Sequence, residues 1–426
     1  MDVVTTAQFY KKDLTAPTPH NREIDKAVLD IIANVQQYGD TALASYTEKF
    51  DGVKVKQFTV SNQEFDDAQE LVDEAFIRAL TQAKENIETY HRSQIEKSWF
   101  IERENDVVLG QKITPIEKVG VYVPGGKAAY PSTVLMNVIP AQLAGVKSIS
   151  ITTPPDKNGK INPYVLVAAR LLGVDRVYKV GGAQAIAALA YGTETIGKVY
   201  KIVGPGNAYV ARAKKWVYGD VAIDMIAGPS EICVVADETT NPRYVAADLL
   251  SQAEHDEEAR AICITTSKEF AEQVVTELEE QVVQLERKDI AKASLQANGK
   301  VILATSIMEA FEVVNQIAPE HLQIMTENPS EKLSLVQNAG AIFLGKYSPE
   351  PLGDYFAGPN HTLPTSGTAT FSSPLGVYDF IKKSSIIHYS KEGLLQAADQ
   401  IIRLANTEGL TAHANSIRLR KDDAHA

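Results

Sequence analysis

From Ile24 the apolar residues recur at Val28, Ile31, Ile32 and Val35, a spacing that lays one stripe along a helix. Gly39 and Gly52 punctuate the chain beyond that stripe, and a second helical stretch from about Ser61 to Ile95 is rich in Glu, Gln, Ala and Leu. Near Val119 the pattern changes. "VGVYV" reads as a short strand before Pro124, Gly125 and Gly126, and a helix is expected from about Ser132 to Ala144. "SISITT" is a strand ended by Pro154 and Pro155, and Pro163 suits the first turn of a helix that reaches Leu172. "RVYKV" then gives way to "GGAQAIAALAYG", "VYKIV" to "GPGNAYVARAKKWVYG", and "VAIDMI" to "AGPSEICVVAD". Strands alternating with helices of about ten residues predict βαβ units and a parallel sheet. No residue-level repeat recurs at a fixed period, so a solenoid is not expected.

The same alternation continues after Asp237. Helices around Pro242 to Glu258 and Ser267 to Gln284 flank the strand "AICITT", and "VILAT" and "AIFLG" read as further strands. From Gly353 the chain becomes loop-like, "GDYFAGPNHTLPTSGTATFSSPLG", and a long ordered loop in a compact enzyme is usually functional. From about Asp379 to Ala426 a helical pattern returns and ends in the charged, frayed "RKDDAHA". Residues 1–21, polar and carrying Pro17 and Pro19, read as an arm.

Length and charge narrow the class. At 426 residues the chain is too long for one simple core, which predicts two or more domains. No apolar run approaches the roughly 18 residues of a membrane helix, and the first residues lack the apolar segment of a secretory signal. A net charge of -12 argues against general nucleic-acid binding, which needs a basic face. Cys233 and Cys263 lie in apolar, strand-like runs and are expected to be buried free thiols, which fits a reducing cytoplasm.

Candidate chemistry lies in the turns and the histidines. The glycine turns "PGG" at 124, "VGG" at 180 and "GPGN" at 204 follow strands and open helices, a geometry that accepts phosphates. None is a G-x-G-x-x-G, and tight turns needing positive φ are the competing reading. A P-loop is absent, which disfavours nucleoside triphosphate chemistry. His20, His91, His388 and His425 sit in polar contexts that suit structural or surface roles, and His361 in the long loop stays open. His255, His321 and His413 remain, with Asp354 as an isolated acid in a glycine loop. Gln252 and His255 are three apart in a helical pattern and so within mutual reach. Spacing alone does not show that these segments meet.

"VGVYVPGGKAAYPSTVLMN", "KVGGAQAIAALAYGT", "KIVGPGNAYVARAKK", "AGPSEICVVAD", "LLSQAEHD", "APEHLQI", "GDYFAGPNHTLPTSGTATFSSPLGV" and "EGLTAHANSIRLR" together resemble the histidinol dehydrogenase family, in the family's order and from about residue 20 to 420. The resemblance implies an α/β fold of two incomplete Rossmann-like domains, aldehyde-dehydrogenase-like, with a small N-terminal arm and a helical C-terminal tail. It divides the chain into an arm at 1–21, a large α/β domain from 22–120 plus 232–375 with the metal and catalytic residues, an NAD-binding domain at 121–231 and a dimerisation tail at 376–426. It implies that Gln252, His255, Asp354 and His413 hold one zinc ion per subunit and also face the substrate, as do Ser230, His321 and Glu408. Glu320 and His321 are the implied acid–base pair, and Tyr122, Gln184 and Asn207 the implied NAD contacts.

The implied reaction is L-histidinol to L-histidine through L-histidinaldehyde with two NAD, the last step of histidine biosynthesis. The implied assembly is a cytoplasmic homodimer in which the tail of one subunit, with Glu408 and His413, completes the other's site. Neither nucleic acid nor membrane is an expected partner. A related dehydrogenase of another small polar alcohol would keep the zinc and NAD residues but alter the pocket, and Ser230 and Glu408 argue against it. A non-catalytic metal- or nucleotide-binding protein would not need Glu320 and His321 together.

Overall fold

The computed structural model describes residues 1–12, 22–125 and 129–425, so Pro17, Pro19 and His20 of the expected arm and Gly126 of the first glycine turn lie outside the described residues. Two compact units emerge: Met1–Gln94 with Ile116–Phe380, and Ile95–Pro115 with Ile381–Ala426. The strands, in chain order, are β1 (Asp2–Thr5), β2 (Trp99–Arg103), β3 (Val107–Pro115), β4 (Lys118–Tyr122), β5 (Ser148–Thr153), β6 (Val177–Lys179), β7 (Lys201–Val203), β8 (Ala222–Ile223), β9 (Glu231–Ala236), β10 (Arg260–Thr265), β11 (Lys300–Leu303), β12 (His321–Met325), β13 (Ala341–Leu344) and β14 (Ile381–His388).

The larger unit contains two wholly parallel sheets. The first runs β6-β5-β4-β7-β8. That is the doubly wound order 3-2-1-4-5, a Rossmann sheet lacking its sixth strand. The second runs β1-β11-β10-β9-β12-β13, the same order over β9 to β13 with β1 added beside β11. Both expected parallel sheets are therefore present. Their strands read as continuous apolar runs because helices cover both faces, and all six residues of β9 are buried. The helix Gly182–Tyr191 is apolar all round and buried from Ala183 to Ala190, as a helix enclosed between a sheet and another helix must be.

The structure departs from the expected boundaries in four places. The first twelve residues are not a polar arm: β1 is an edge strand of the second sheet, and Phe9 in the helix Thr6–Lys12 is buried. Residues 22–94 cover the first sheet, although they were expected with the second. The stripe Val28, Ile31, Ile32 and Val35 of the helix Arg22–Asp51 packs into one core with Ala183–Ala190, and Phe65, Leu80 and Ile87 join the core on the sheet's other face. That long helix breaks at Gly39, whose φ of 49° suits glycine and where a Cβ would lie 2.2 Å from the Glu194 carboxylate. The segment after Phe380 does not begin as helix. "IKKSSIIH" is strand β14, antiparallel to β3, because its partner "VVLGQKITP" offers a full ladder of backbone groups. Lastly, the helix expected to reach Glu258 is Pro242–Ala253, and His255 stands in the turn beyond it.

The smaller unit is the antiparallel sheet β14-β3-β2 with the helices Lys391–Thr407 and Thr411–His425. Every residue of its edge strand β2 is exposed, including Trp99, Phe100 and Ile101.

Candidate functional site

In the second sheet β9 and β12 are adjacent and parallel, with His321 opposite Ile232, so the first residues of both strands meet at one end. Ala318, with φ of 48°, turns the chain from the helix Ile307–Ile317 into Pro319, Glu320 and His321. One residue, Glu231, then holds both functional side chains through its backbone. Its N–H donates to Glu320 Oε2 at 2.8 Å, and its carbonyl accepts from His321 Nδ1 at 3.0 Å. A carbonyl only accepts, so Nδ1 carries the hydrogen, and in the neutral ring the lone pair lies on Nε2. His321 Nε2 is buried and has no hydrogen-bond partner among the described residues. It faces Asp354 Oδ1 at 3.6 Å and Glu350 Oε1 at 3.9 Å.

Asp354 lies in the turn Gly353–Ala357, where the long loop begins. His361 Nδ1 donates to the Asp354 carbonyl at 3.1 Å, so the histidine left open by the sequence braces this turn. Glu350 was not singled out from the sequence. It is 2% exposed, and Ser251, next to Gln252, donates to it at 3.3 Å. Its signal was present: Glu350 and Asp354 are four apart, the spacing that brings two side chains together in a helical segment. Glu231 was also missed, because its contribution to the pair is made by its backbone. Its carboxylate is occupied elsewhere, accepting from Ser366 N at 3.1 Å and lying 3.5 Å from Arg260.

The environment spreads the titrations apart. Burial pushes Glu320 up to about 7, against the opposing pull of His321. Burial alone would lower His321, but Glu320, Asp354 and Glu350 outweigh it and lift the imidazole to about 10. Burial would raise Asp354, yet His321 and His361 hold it well below the usual carboxylate range. Burial and the neighbouring Asp354 push Glu350 up. Burial lowers His255, partly offset by Asp354, and so favours its neutral ring.

These residues fit a divalent cation. Gln252 is 1% exposed, and its Oε1 is a buried acceptor with no donor. Such an atom costs about 1–3 kcal/mol unless something positive meets it. Asp354 is kept ionised and His255 neutral, the protonation states that metal ligation requires. Donor atoms of His321, Glu350 and Asp354 lie within 4.8 Å of one another.

Of the other residues singled out from the sequence, Ser230 directly precedes Glu231, and its carbonyl accepts from Arg260 N at 2.9 Å. Tyr122, Gln184 and Asn207 belong to the first sheet. Tyr122 ends β4 and its hydroxyl accepts from Gly182 N at 3.1 Å, at the start of the helix that carries Gln184. Gln184 is buried with Oε1 unpartnered. Asn207 caps the helix Ala208–Val217, accepting from Tyr209 N and Val210 N at 3.1 Å each. Glu408 and His413 are exposed residues of the smaller unit, Glu408 capping the helix Lys391–Thr407 and His413 in the last helix.

Two doubly wound sheets give an α/β fold, and a buried carboxyl–imidazole pair is an arrangement able to transfer protons. The sequence profile of histidinol dehydrogenase matches residues 14–421. The histidinol dehydrogenase of Oceanobacillus iheyensis is 57% identical, with all of both chains covered, and that of Listeria innocua is 58% identical over 98% of each. The crystal structure of histidinol dehydrogenase from Elizabethkingia anophelis is similar with a TM-score of 0.95 at 41% identity, covering 100% of this chain and 98% of that one. The chain belongs to the histidinol dehydrogenase family.

Proposed function

We propose that the protein oxidises L-histidinol to L-histidine through L-histidinaldehyde, with two NAD and one water, as the last step of histidine biosynthesis. The observation that carries this reading is the pair Glu320–His321 fixed on the backbone N–H and carbonyl of one residue, Glu231, with His321 Nε2 facing Asp354 and Glu350. NAD, when bound, accepts a hydride in each of the two oxidations. Tyr122, Gln184 and Asn207 gather at the carboxyl ends of β4 and β7, where the strand order reverses and dinucleotides bind doubly wound sheets.

His321 Nε2 takes the hydroxyl proton as the alcohol is oxidised. Glu320, lifted to about 7, is matched to accept a proton from the water that adds to the aldehyde. Once that first proton has been released to solvent, His321 Nε2 takes the hydrate's hydroxyl proton in the second oxidation. Enclosing both steps in one buried site keeps the reactive aldehyde from escaping.

Gln252, His255 and Asp354 would hold a zinc ion, with His413 as fourth ligand, one ion per subunit. Zinc there would supply an orienting Lewis centre for the imidazole and amine nitrogens of the substrate. Its charge would also offset the three carboxylates that lift His321, returning the imidazole towards the range of a base. Ser230 and Glu408 would contact the substrate. His413 and Glu408 stand on the unit that also exposes the apolar strand β2, and this supports a homodimer in which each tail completes the partner's site. Cytoplasmic placement is supported by two buried free thiols, Cys233 and Cys263. Among the described residues no helix is long and apolar enough to cross a membrane.

The deciding assay counts NADH formed per histidinol consumed. Two are expected; a limit of one, or no turnover of histidinol, would overturn the reading.

A further inference from the structure

The turn "GPGN" that joins β7 to the helix Ala208–Val217 is gripped by a device that the chemistry above does not use. Gly204 has φ of 108°, and a Cβ there would lie 2.1 Å from the carbonyl oxygen of Tyr122, so the turn lies directly against the end of β4. On its other side is a buried ion pair between Lys214 and Asp224, whose side chains are 2% and 1% exposed. Lys214 Nζ donates to the Gly204 carbonyl at 2.9 Å. The Gly204 amide donates to Asp224 Oδ2 at 2.8 Å, and Met225 N donates to Asp224 Oδ1 at 2.6 Å. One cation and one anion thus hold the acceptor and the donor of a single glycine. Lys214 reaches it from the helix that follows the turn, and Asp224 from just beyond β8.

Fold stability gives little reason to keep such a pair. Burying two charges is costly in desolvation, and apolar residues of similar volume often serve a core at least as well. Charged groups do what apolar ones cannot: they fix the position and tilt of a backbone unit with charge-assisted hydrogen bonds, which are shorter and stronger than neutral ones. The unit they fix begins the turn that ends in Asn207, the cap of the helix N-terminus. It also abuts Tyr122, whose hydroxyl meets the start of the neighbouring helix at Gly182. The pair therefore sets the height of one glycine turn relative to the start of another helix.

We propose that Lys214 and Asp224 are positioning residues for the dinucleotide, setting its affinity through the Gly204–Asn207 turn without touching it. The inference rests on the reading of that turn as part of the dinucleotide seat. Removing both charges together leaves neither stranded, so the paired variant Lys214→Met with Asp224→Asn is the main test. The paired variant Lys214→Gln with Asp224→Asn also strands no charge, keeps a donor for the Gly204 carbonyl and an acceptor for its amide, and serves as a milder second variant.

NADH binding is measured by fluorescence titration, with hydrogen exchange of residues 204–210 in the wild-type protein with and without NADH. NADH is expected to slow exchange across 204–210 in the wild type. The Lys214→Met, Asp224→Asn variant is expected to raise the NADH Kd by roughly tenfold or more, and the Lys214→Gln, Asp224→Asn variant by less. In turnover the loss should appear as a raised KM for NAD with kcat little changed, whereas a general weakening of the fold would lower kcat by shrinking the active fraction. Protection at 204–210 with an unchanged NADH Kd in both variants would overturn the positioning role. No protection in a wild-type protein that binds NADH would remove the dinucleotide from this turn, and the inference with it.

Discussion

The two parallel sheets share a strand order, yet their candidate functional residues sit at opposite ends. In the first sheet Tyr122 closes β4 and the Gly204 turn follows β7, both at the carboxyl ends. In the second, Glu231 opens β9 and His321 opens β12, both at the amino ends. At the carboxyl end of the second sheet the polar groups are largely spent on each other. Asp237 accepts from Thr239 N and Glu327 N at 3.0 Å each, and Thr240 Oγ1 donates to the Met325 carbonyl at 2.6 Å. Among the described residues Gln252 Oε1 and His321 Nε2 remain unpartnered at the amino end, and Thr326 Oγ1 at the carboxyl end. Strand order thus offers two ends, and the two sheets place their candidate residues at different ones. A dinucleotide needs backbone turns and helix starts, which carboxyl ends supply. A proton-transfer pair needs side chains locked by strand backbone, and here the start of β9 supplies the lock.

The sharpest way to break this comparison is His321→Asn. Turnover should fall on the order of 10²- to 10⁴-fold while NADH titration gives an unchanged Kd, because the proposed dinucleotide contacts belong to the other sheet. A large loss of NADH affinity would show that the two ends are not separate. Next is Glu320→Gln, which keeps shape but loses basicity. With histidinol and histidinaldehyde supplied separately, the aldehyde step should lose roughly 10²-fold and the alcohol step much less. Equal losses would make Glu320 positional rather than water-activating.

The reverse experiment is Gly204→Ala in the first sheet. It combines positive φ with a clash on the Tyr122 carbonyl, and should cost about 2 kcal/mol or more in a denaturant melt. NADH binding should weaken, whereas zinc content by metal analysis should not change.

The smallest expected effect separates burial as such from burial with a task. Asp51, like Glu320, is pushed up by burial, in its case to about 6. A carboxyl whose folded pKa is raised costs stability as pH climbs from its unfolded value near 4 through 6, and the cost is relieved in acid. Asp51→Asn should therefore be more stable than the parent at pH 8, by on the order of 1 kcal/mol or less given partial solvation, with the gap closing near pH 4. Thermal melts across that range test the sign, and histidinol turnover should be untouched.

Both parallel sheets were legible because strands covered on both faces write themselves as apolar runs between turn residues. The proposed acid–base pair Glu320–His321 came from the family resemblance, and the structure buries both side chains at the start of β12. The antiparallel strand "IKKSSIIH" was not, since four consecutive polar residues, Lys382 to Ser385, are exposed on both faces and erase the alternation, and its partner β3 is more than 250 residues away. Glu231 illustrates another kind of silence, because a backbone N–H and carbonyl carry no residue signature. The assignment of residues 22–94 failed for a related reason: a helical stripe shows that a face will be buried but not against which sheet.

Because both hydrogen bonds run to Glu231, the acid and the imidazole travel on a single mount. Any flexing of the molecule around the substrate would carry the two groups together, so their spacing is insulated from domain motion. It is also insulated from mutation, since no exchange of the Glu231 side chain deletes the amide or the carbonyl unless proline is introduced. A scaffold arranged this way can drift in what it holds, through the loop around Asp354 and His361, while the interval between its two proton-handling groups stays inherited.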